Sequence, residues 1–67
     1  MGYRIRETVD GHIVEVDGVV VGRPHVELVD AIVAAVMVMR EAGDTAPGRW
    51  HLEDNGITYV WQPRNST

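Results

Sequence analysis

Residues 3–21 read YRIRETVDGHIVEVDGVVV, and two Val-Asp-Gly triplets, starting at Val9 and at Val16, divide that stretch into three runs. Asp-Gly between alternating apolar and polar residues is a hairpin signal, because a type I′ turn needs positive φ at both central positions. The first triplet predicts a turn at Asp10-Gly11 that pairs Val9 with His12, Glu7 with Val14 and Ile5 with Val16. One face of this hairpin then carries Tyr3, Ile5, Val9, Val14 and Val16. The other carries Arg4, Arg6, Thr8, Ile13 and Glu15, with Arg6 opposite Glu15 as a favourable cross-strand pair. The second triplet predicts a turn at Asp17-Gly18 that pairs Val16 with Val19 and Val14 with Val21 on the same apolar face. The reading is a three-stranded antiparallel meander that ends near Val21.

Gly22-Arg23-Pro24 follows, and Pro24 suits the first position of a helix, where its missing N–H costs nothing. Nothing interrupts a helix from Pro24 to Ala42, a length of about 28 Å at 1.5 Å per residue, and Gly43 suits the C′ position. Glu27 in an early turn and Arg40 in the last both complement the helix dipole. Beyond the helix, Arg49–Glu53 and Ile57–Trp61 flank Asp54-Asn55-Gly56. Asn-Gly predicts a second type I′ hairpin, with Leu52 facing Tyr59 and Trp50 facing Trp61 on one aromatic side. Gln62–Thr67 reads as a frayed polar tail. The expected fold is a single α+β domain over residues 1–67, order βββαββ, in which the meander and the C-terminal hairpin form an antiparallel sheet packed on one long apolar helix. The order βββα followed by strands resembles the small antitoxin-type domains that bind a partner toxin. The likeness is one of element order, and no residue role follows from it.

The helix does not balance. Leu28, Val29, Ile32, Val33, Val36 and Met39 form a wide stripe, sufficient to cover the sheet, yet no polar residue lies between Asp30 and Arg40 on any side. A helix apolar all round is buried all round, and one sheet covers one side of it. Ala31, Ala35, Val38 and Ala42, spaced four, three and four, form a small-residue seam expected to meet the same seam of a second copy. The other candidates for that second side are the Trp50/Trp61 hairpin of the same chain, a foreign protein and a membrane surface. Anionic lipid would repel the helix acids, which argues against the last.

Composition narrows the function. A chain of 67 residues is near the lower limit for a self-sufficient core, and such chains are usually held by a disulfide, a metal or a partner. Cysteine is absent, which excludes disulfides and thiolate metal sites and fits a reducing interior. His12, His25 and His51 are far apart in sequence, so packing or oligomerisation is the expected answer. The charged N-terminus lacks the apolar segment of a signal peptide, and the longest apolar run, Ala31–Met39, is half of what a bilayer crossing requires. A cytoplasmic protein with no membrane partner is expected. Net charge is −4, with ten acids against six bases, which argues against general nucleic-acid binding. The bases are all arginine, a bias that GC-rich codons produce and that suggests a high-GC bacterium or its phage as source.

No spacing of His, Cys, Asp, Glu or Gly matches a triad, a metal site or a phosphate loop, so no catalytic residue, metal ligand or cofactor is expected. His12 reads as a solvated hairpin-tip residue, His25 as part of the first helical turn and His51 as a surface strand residue. Glu7 falls on the apolar face in the register above and is expected at an edge where its carboxylate reaches water. The arginines Arg4, Arg6, Arg23, Arg49 and Arg64, interleaved with Trp50, Tyr59 and Trp61, would suit a single-strand nucleic-acid platform, but Glu15, Asp17, Glu53 and Asp54 share their neighbourhood. The same three aromatics are the expected surface for a protein partner. The function expected is therefore non-enzymatic: a small homodimeric protein-interaction module, a phage or accessory protein that binds another protein, with regulatory nucleic-acid binding as the alternative.

Overall fold

The computed structural model describes residues 2–64 and contains β1 (Tyr3–Thr8), β2 (Gly11–Val16), β3 (Val19–His25), α1 (Leu28–Glu41), β4 (Gly48–Leu52) and β5 (Thr58–Pro63). The five strands form one antiparallel sheet in the order β3-β2-β1-β5-β4. The α+β class and the order βββαββ are as the sequence implies. Return of the chain after α1 sets β5 beside β1 through Arg4↔Val60, Ile5↔Tyr59 and Arg6↔Thr58, so the first strand becomes the centre of the sheet.

Asp17 and Gly18 adopt φ of 51° and 84° and close the β2–β3 turn as expected, with Val16↔Val19 and Val14↔Val21. The β1–β2 turn differs. It closes at Thr8↔Gly11, which places Ile5 opposite Val14, Arg4 opposite Glu15 and Arg6 opposite Ile13. Thr8 explains the shift: its hydroxyl donates to the Gly11 carbonyl at 2.8 Å and accepts from the Asp10 N–H at 3.2 Å, fixing Val9-Asp10 as the turn and leaving Val9 fully exposed. A slip of two residues conserves the faces because side chains alternate with period two. Tyr3, Ile5 and Val14 therefore remain buried together, and Arg6 still reaches Glu15, diagonally at 3.2 Å. Gly11 is required for space as well as for its φ of 125°, since a Cβ there would stand 2.6 Å from the His25 carbonyl oxygen.

β3 does not stop at Val21. It bulges between the Val14↔Val21 and His12↔His25 pairs and continues through Pro24 to His25. Pro24 thus lies in a bulged edge strand, where a missing N–H is also tolerated, and not at a helix start. The helix begins at Leu28 after Glu27, whose extended backbone forms the N-cap without a side-chain cap bond, and its 14 residues span about 21 Å. Its end is a Schellman motif: Gly43, at φ 77°, donates to the Arg40 carbonyl and Asp44 donates to that of Met39.

The C-terminal hairpin keeps the expected register, with Trp50↔Trp61 and Leu52↔Tyr59, but not the expected turn. Gly56 N–H donates to the Glu53 carbonyl at 3.0 Å, and Asn55 Oδ1 accepts from the N–H groups of Ile57 and Thr58 at 2.9 and 3.0 Å. The loop therefore covers residues 54–57, which share a centre with the two-residue turn expected at 55–56. β5 runs to Pro63, and Arg64 N–H donates to the Pro47 carbonyl at 2.7 Å, so Gln62 and Pro63 are strand and not frayed tail. Residues 65–67 of that tail lie outside the described residues.

One line of the helix, Leu28, Ala31, Ala35 and Met39, meets the sheet. Ala31 and Ala35 pack on Ile5 and Val14, with Ile32, Ala34, Trp50 and Tyr59 around them. This rotates the helix from its expected setting. The alanines face inward because small side chains let the axis approach strands that already carry the large Tyr3, Ile5 and Val14. Val29 and Val33, expected against the sheet, are instead 63% and 54% exposed.

Candidate functional site

The inward rotation of α1 dismantles the expected dimer seam. Ala31 and Ala35 are fully buried by their own sheet, Val38 is half-buried and Ala42 is exposed. In place of the seam, the outer side of the helix presents Val29, Val33 and Met37, spaced four and four, with Met37 58% exposed and Val26 just before the helix exposed as well. Periodicity alone contains this row, but a helix apolar on every side gives no signal of which side turns inward.

α1 packs on β1, β2 and β3 and makes no backbone approach to β4 or β5. The helix side of β4 and β5 is reached by side chains instead: Trp50 and Tyr59 pack against the Ala31/Ala35 cluster, Trp61 is half-buried, and Leu52 is 44% exposed. Trp50 and Trp61 meet edge to face, with centroids 5.3 Å apart and planes at 63°. Between Trp61 and the C-terminal half of α1 lies a cleft of about 310 Å³, lined by Val36, Met39, Arg40, Asp44 and Trp61 among others. The Trp61 Nε1 and the Tyr3 hydroxyl are buried and find no hydrogen-bond partner among the described residues. Burial pushes the Tyr3 phenol above its ordinary pKa, and the negative charges of Asp44 and Asp17 push it further the same way.

The other face of the sheet has no covering element among the described residues. One row across it reads Val20, Glu15, Arg4, Val60 and His51; Ile13, Arg6 and Thr58 form the next, and Arg49 pairs with Gln62 beyond. Glu15 is tied to Arg6. Of the acids named in the sequence as neighbours of the arginines, Asp17 stands in the β2–β3 turn and Asp54 in the β4–β5 loop, while Glu53, whose N–H donates to the Thr58 carbonyl at 2.8 Å, follows β4 opposite Thr58 and continues the Ile13/Arg6 row. Arg4, Arg6 and Arg49 consequently lie on the face opposite Trp50, Tyr59 and Trp61, and these residues do not assemble an interleaved Arg/Trp platform.

Two histidines far apart in sequence come together. His25 ends β3 and does not enter the helix; it pairs with His12, whose Nδ1 lies 3.3 Å from the His25 carbonyl oxygen, while Glu7 opposes His12 from β1. The bulge in β3 creates this row, which is why spacing does not reveal it. Glu7 is exposed, and among the described residues no group of three His, Cys, Asp or Glu is placed to hold a metal ion. No helix among the described residues is long and apolar enough to cross a membrane. No protein-family model, curated protein or solved structure matches the chain.

Proposed function

We propose that this chain is a small, non-enzymatic, cytoplasmic homodimer that serves as a protein-interaction module, of the kind a phage or an accessory operon supplies, and that it dimerises through the outer side of α1. One observation carries the reading. Val29, Val33 and Met37 stand in a row on the surface, each more than half exposed, in a chain short of buried area. Contiguous exposed apolar surface of this kind marks interfaces, and a second copy supplies the core that a short chain without disulfides lacks. Sedimentation equilibrium at micromolar concentration tests it, with twice the chain mass expected. Val33→Glu, which buries an unpaired charge in the interface, is expected to weaken the dimer by about two orders of magnitude, the equivalent of about 3 kcal/mol. A wild-type chain of monomeric mass would sink the proposal. Ala35→Glu is not a usable probe, because Ala35 is core and its loss would unfold the monomer.

A second reading rests on the open sheet face, where Arg4, Arg6, Arg49 and His51 stand with the acids Glu15 and Glu53, the first of them tied to Arg6. Such a face on an acidic chain suits phosphate or an acidic protein partner. Retention on heparin at moderate salt would favour nucleic acid; flow-through would favour the protein partner.

A further inference from the structure

We infer that Arg49, Gln62 and Arg64, at one corner of the open sheet face, form a binding site for a phosphate group. The inference does not need the dimer. It rests on the second reading above and narrows it to one corner and one chemistry. Arg49 pairs with Gln62 across β4 and β5. The Arg64 N–H donates to the Pro47 carbonyl at 2.7 Å, so the ladder runs on past Pro63. Arg64 therefore stands two residues beyond Gln62 on the same face, diagonal to Arg49. These three residues line a cavity of about 290 Å³, completed by Gly48 and Pro63. That volume is near the lower end of small-ligand pockets, about 300 Å³.

The corner is positive in an acidic chain. Net charge is −4, yet four of the six arginines, Arg4, Arg6, Arg49 and Arg64, share this face. Arg6 is tied to Glu15, whereas among the described residues no carboxylate comes within ion-pair distance of Arg49 or Arg64. Glu53 is four residues along from Arg49, roughly 13 Å of strand. Glu15 in β2 and Asp17 just after it are two strands from β5 and three from β4, and Asp17 accepts the Gly2 N–H at 2.6 Å. With strands about 4.8 Å apart, the backbone of each of these acids is about 10 Å or more from that of Arg49 and Arg64. That is the screening length at 0.1 M salt, about 10 Å, so the corner keeps its positive potential. The acidic remainder of the chain does not draw in a polyanion from a distance. A compact anion suits the corner better than a tract of nucleic acid.

The donor count selects phosphate over carboxylate. One guanidinium fork already satisfies both oxygens of a carboxylate. The corner offers two forks and the side-chain amide of Gln62. A phosphate monoester presents three terminal oxygens and carries about −1.5 to −2 charge at neutral pH, so it has oxygens and charge for both arginines. His51, Val60 and Arg4 form the next row of the face, where the rest of a phosphorylated molecule would lie.

The test is a titration of the ¹⁵N-labelled chain at constant ionic strength with phenyl phosphate, inorganic phosphate, benzoate and sodium chloride. Saturable shifts of the Arg49 and Arg64 Nε–H and Gln62 side-chain signals are expected with the two phosphates only. Tighter binding of the ester would support the site and assign it to a phosphorylated small molecule; equal binding would support it and assign it to free phosphate. Arg49→Gln and Arg64→Gln, both at exposed positions and checked for wild-type circular dichroism, are each expected to weaken phosphate binding about tenfold. Arg23→Gln on β3 leaves it unchanged. Shifts reproduced by benzoate or chloride, or indifferent to both corner substitutions, would overturn the site. So would a thymidine oligonucleotide that binds far more tightly than phenyl phosphate and loses as much to Arg6→Gln as to Arg49→Gln, since the whole face would then hold nucleic acid. Heparin retention without phosphate shifts would overturn the corner and leave the second reading standing; phosphate shifts with heparin flow-through would support the corner alone.

Discussion

Gly48 is held by space, not by backbone conformation. Its φ is not in the left-handed region, yet a Cβ at this position would stand 2.6 Å from Cζ2 of Trp61 and would also collide with the Gln62 carbonyl oxygen. The Trp61 indole lies across the glycine and from there meets Trp50 edge to face. Gly48→Ala must displace that indole, and overpacking of this kind costs about 1–3 kcal/mol. The expected result is a lowered melting temperature together with a changed tryptophan emission spectrum. Gly2→Ala serves as the control, because a Cβ there meets nothing closer than the Asp17 carboxylate at 3.6 Å. If Gly48→Ala melted like the wild type, the indole would not be seated on the glycine. Sequence alone begins the fourth strand at Arg49 and leaves Gly48 outside it, because a glycine demanded by a neighbouring ring carries no local signature.

Among the strands and turns, legibility depends on how many local chemistries a residue type satisfies. Asp17-Gly18 has one good solution and takes it. Pro24 has two, a helix start and a bulged edge strand, and the pairing of His25 with His12 decides for the strand. The β1–β2 register is displaced by Thr8, whose hydroxyl bonds compete with the Asp10-Gly11 turn, while the faces survive because the slip is even. Asn55 shows the same competition. Its place before Gly56 suggests the left-handed residue of a type I′ turn. In the structure its side chain holds the loop instead, accepting from two N–H groups and donating to the Thr58 hydroxyl at 2.9 Å, beside a residue that is 3% exposed. The two roles predict different mutants. In a type I′ turn Asn55→Gly would be tolerated, as Asn-Gly and Gly-Gly are both favoured there. In this loop Asn55→Gly removes the same hydrogen bonds as Asn55→Ala, and each is expected to cost about 1–3 kcal/mol. Urea unfolding checks this through a lowered midpoint at unchanged slope. A neutral Asn55→Gly beside a damaging Asn55→Ala would restore the type I′ turn.

When the molecule is taken entire, its sheet is readable from sequence and the setting of the helix on it is not. The alternation of apolar and polar residues in β1 and β2 admits one assignment of faces, whereas a helix without a polar residue from Ala31 to Met39 can turn several sides inward at similar cost. Small side chains at Ala31 and Ala35 suit a seam between copies, and the same smallness instead draws the helix onto its own sheet. The consequence is a thin core. Its buried apolar side chains are Tyr3, Ile5, Ile13, Val14, Ala31, Ala35 and Met39, two of them alanines, while Val29, Val33, Met37 and Leu52 are outside. If a second copy covers the three on α1, folding and association are one process, and stability must depend on concentration by mass action. A tenfold rise in concentration then adds about 1.4 kcal/mol per dimer. With an unfolding entropy of about 2.1 cal/mol/K per residue over both chains, the melting temperature is expected to rise by about 5 °C per decade of concentration. Val33→Glu is expected to lower the midpoint at every concentration while the slope persists, since it disfavours association without touching the residues packed between α1 and its own sheet. Calorimetry across two decades decides the matter: a melting temperature independent of concentration would mean that the monomer's thin core suffices, and the outer side of α1 would then belong to a foreign partner.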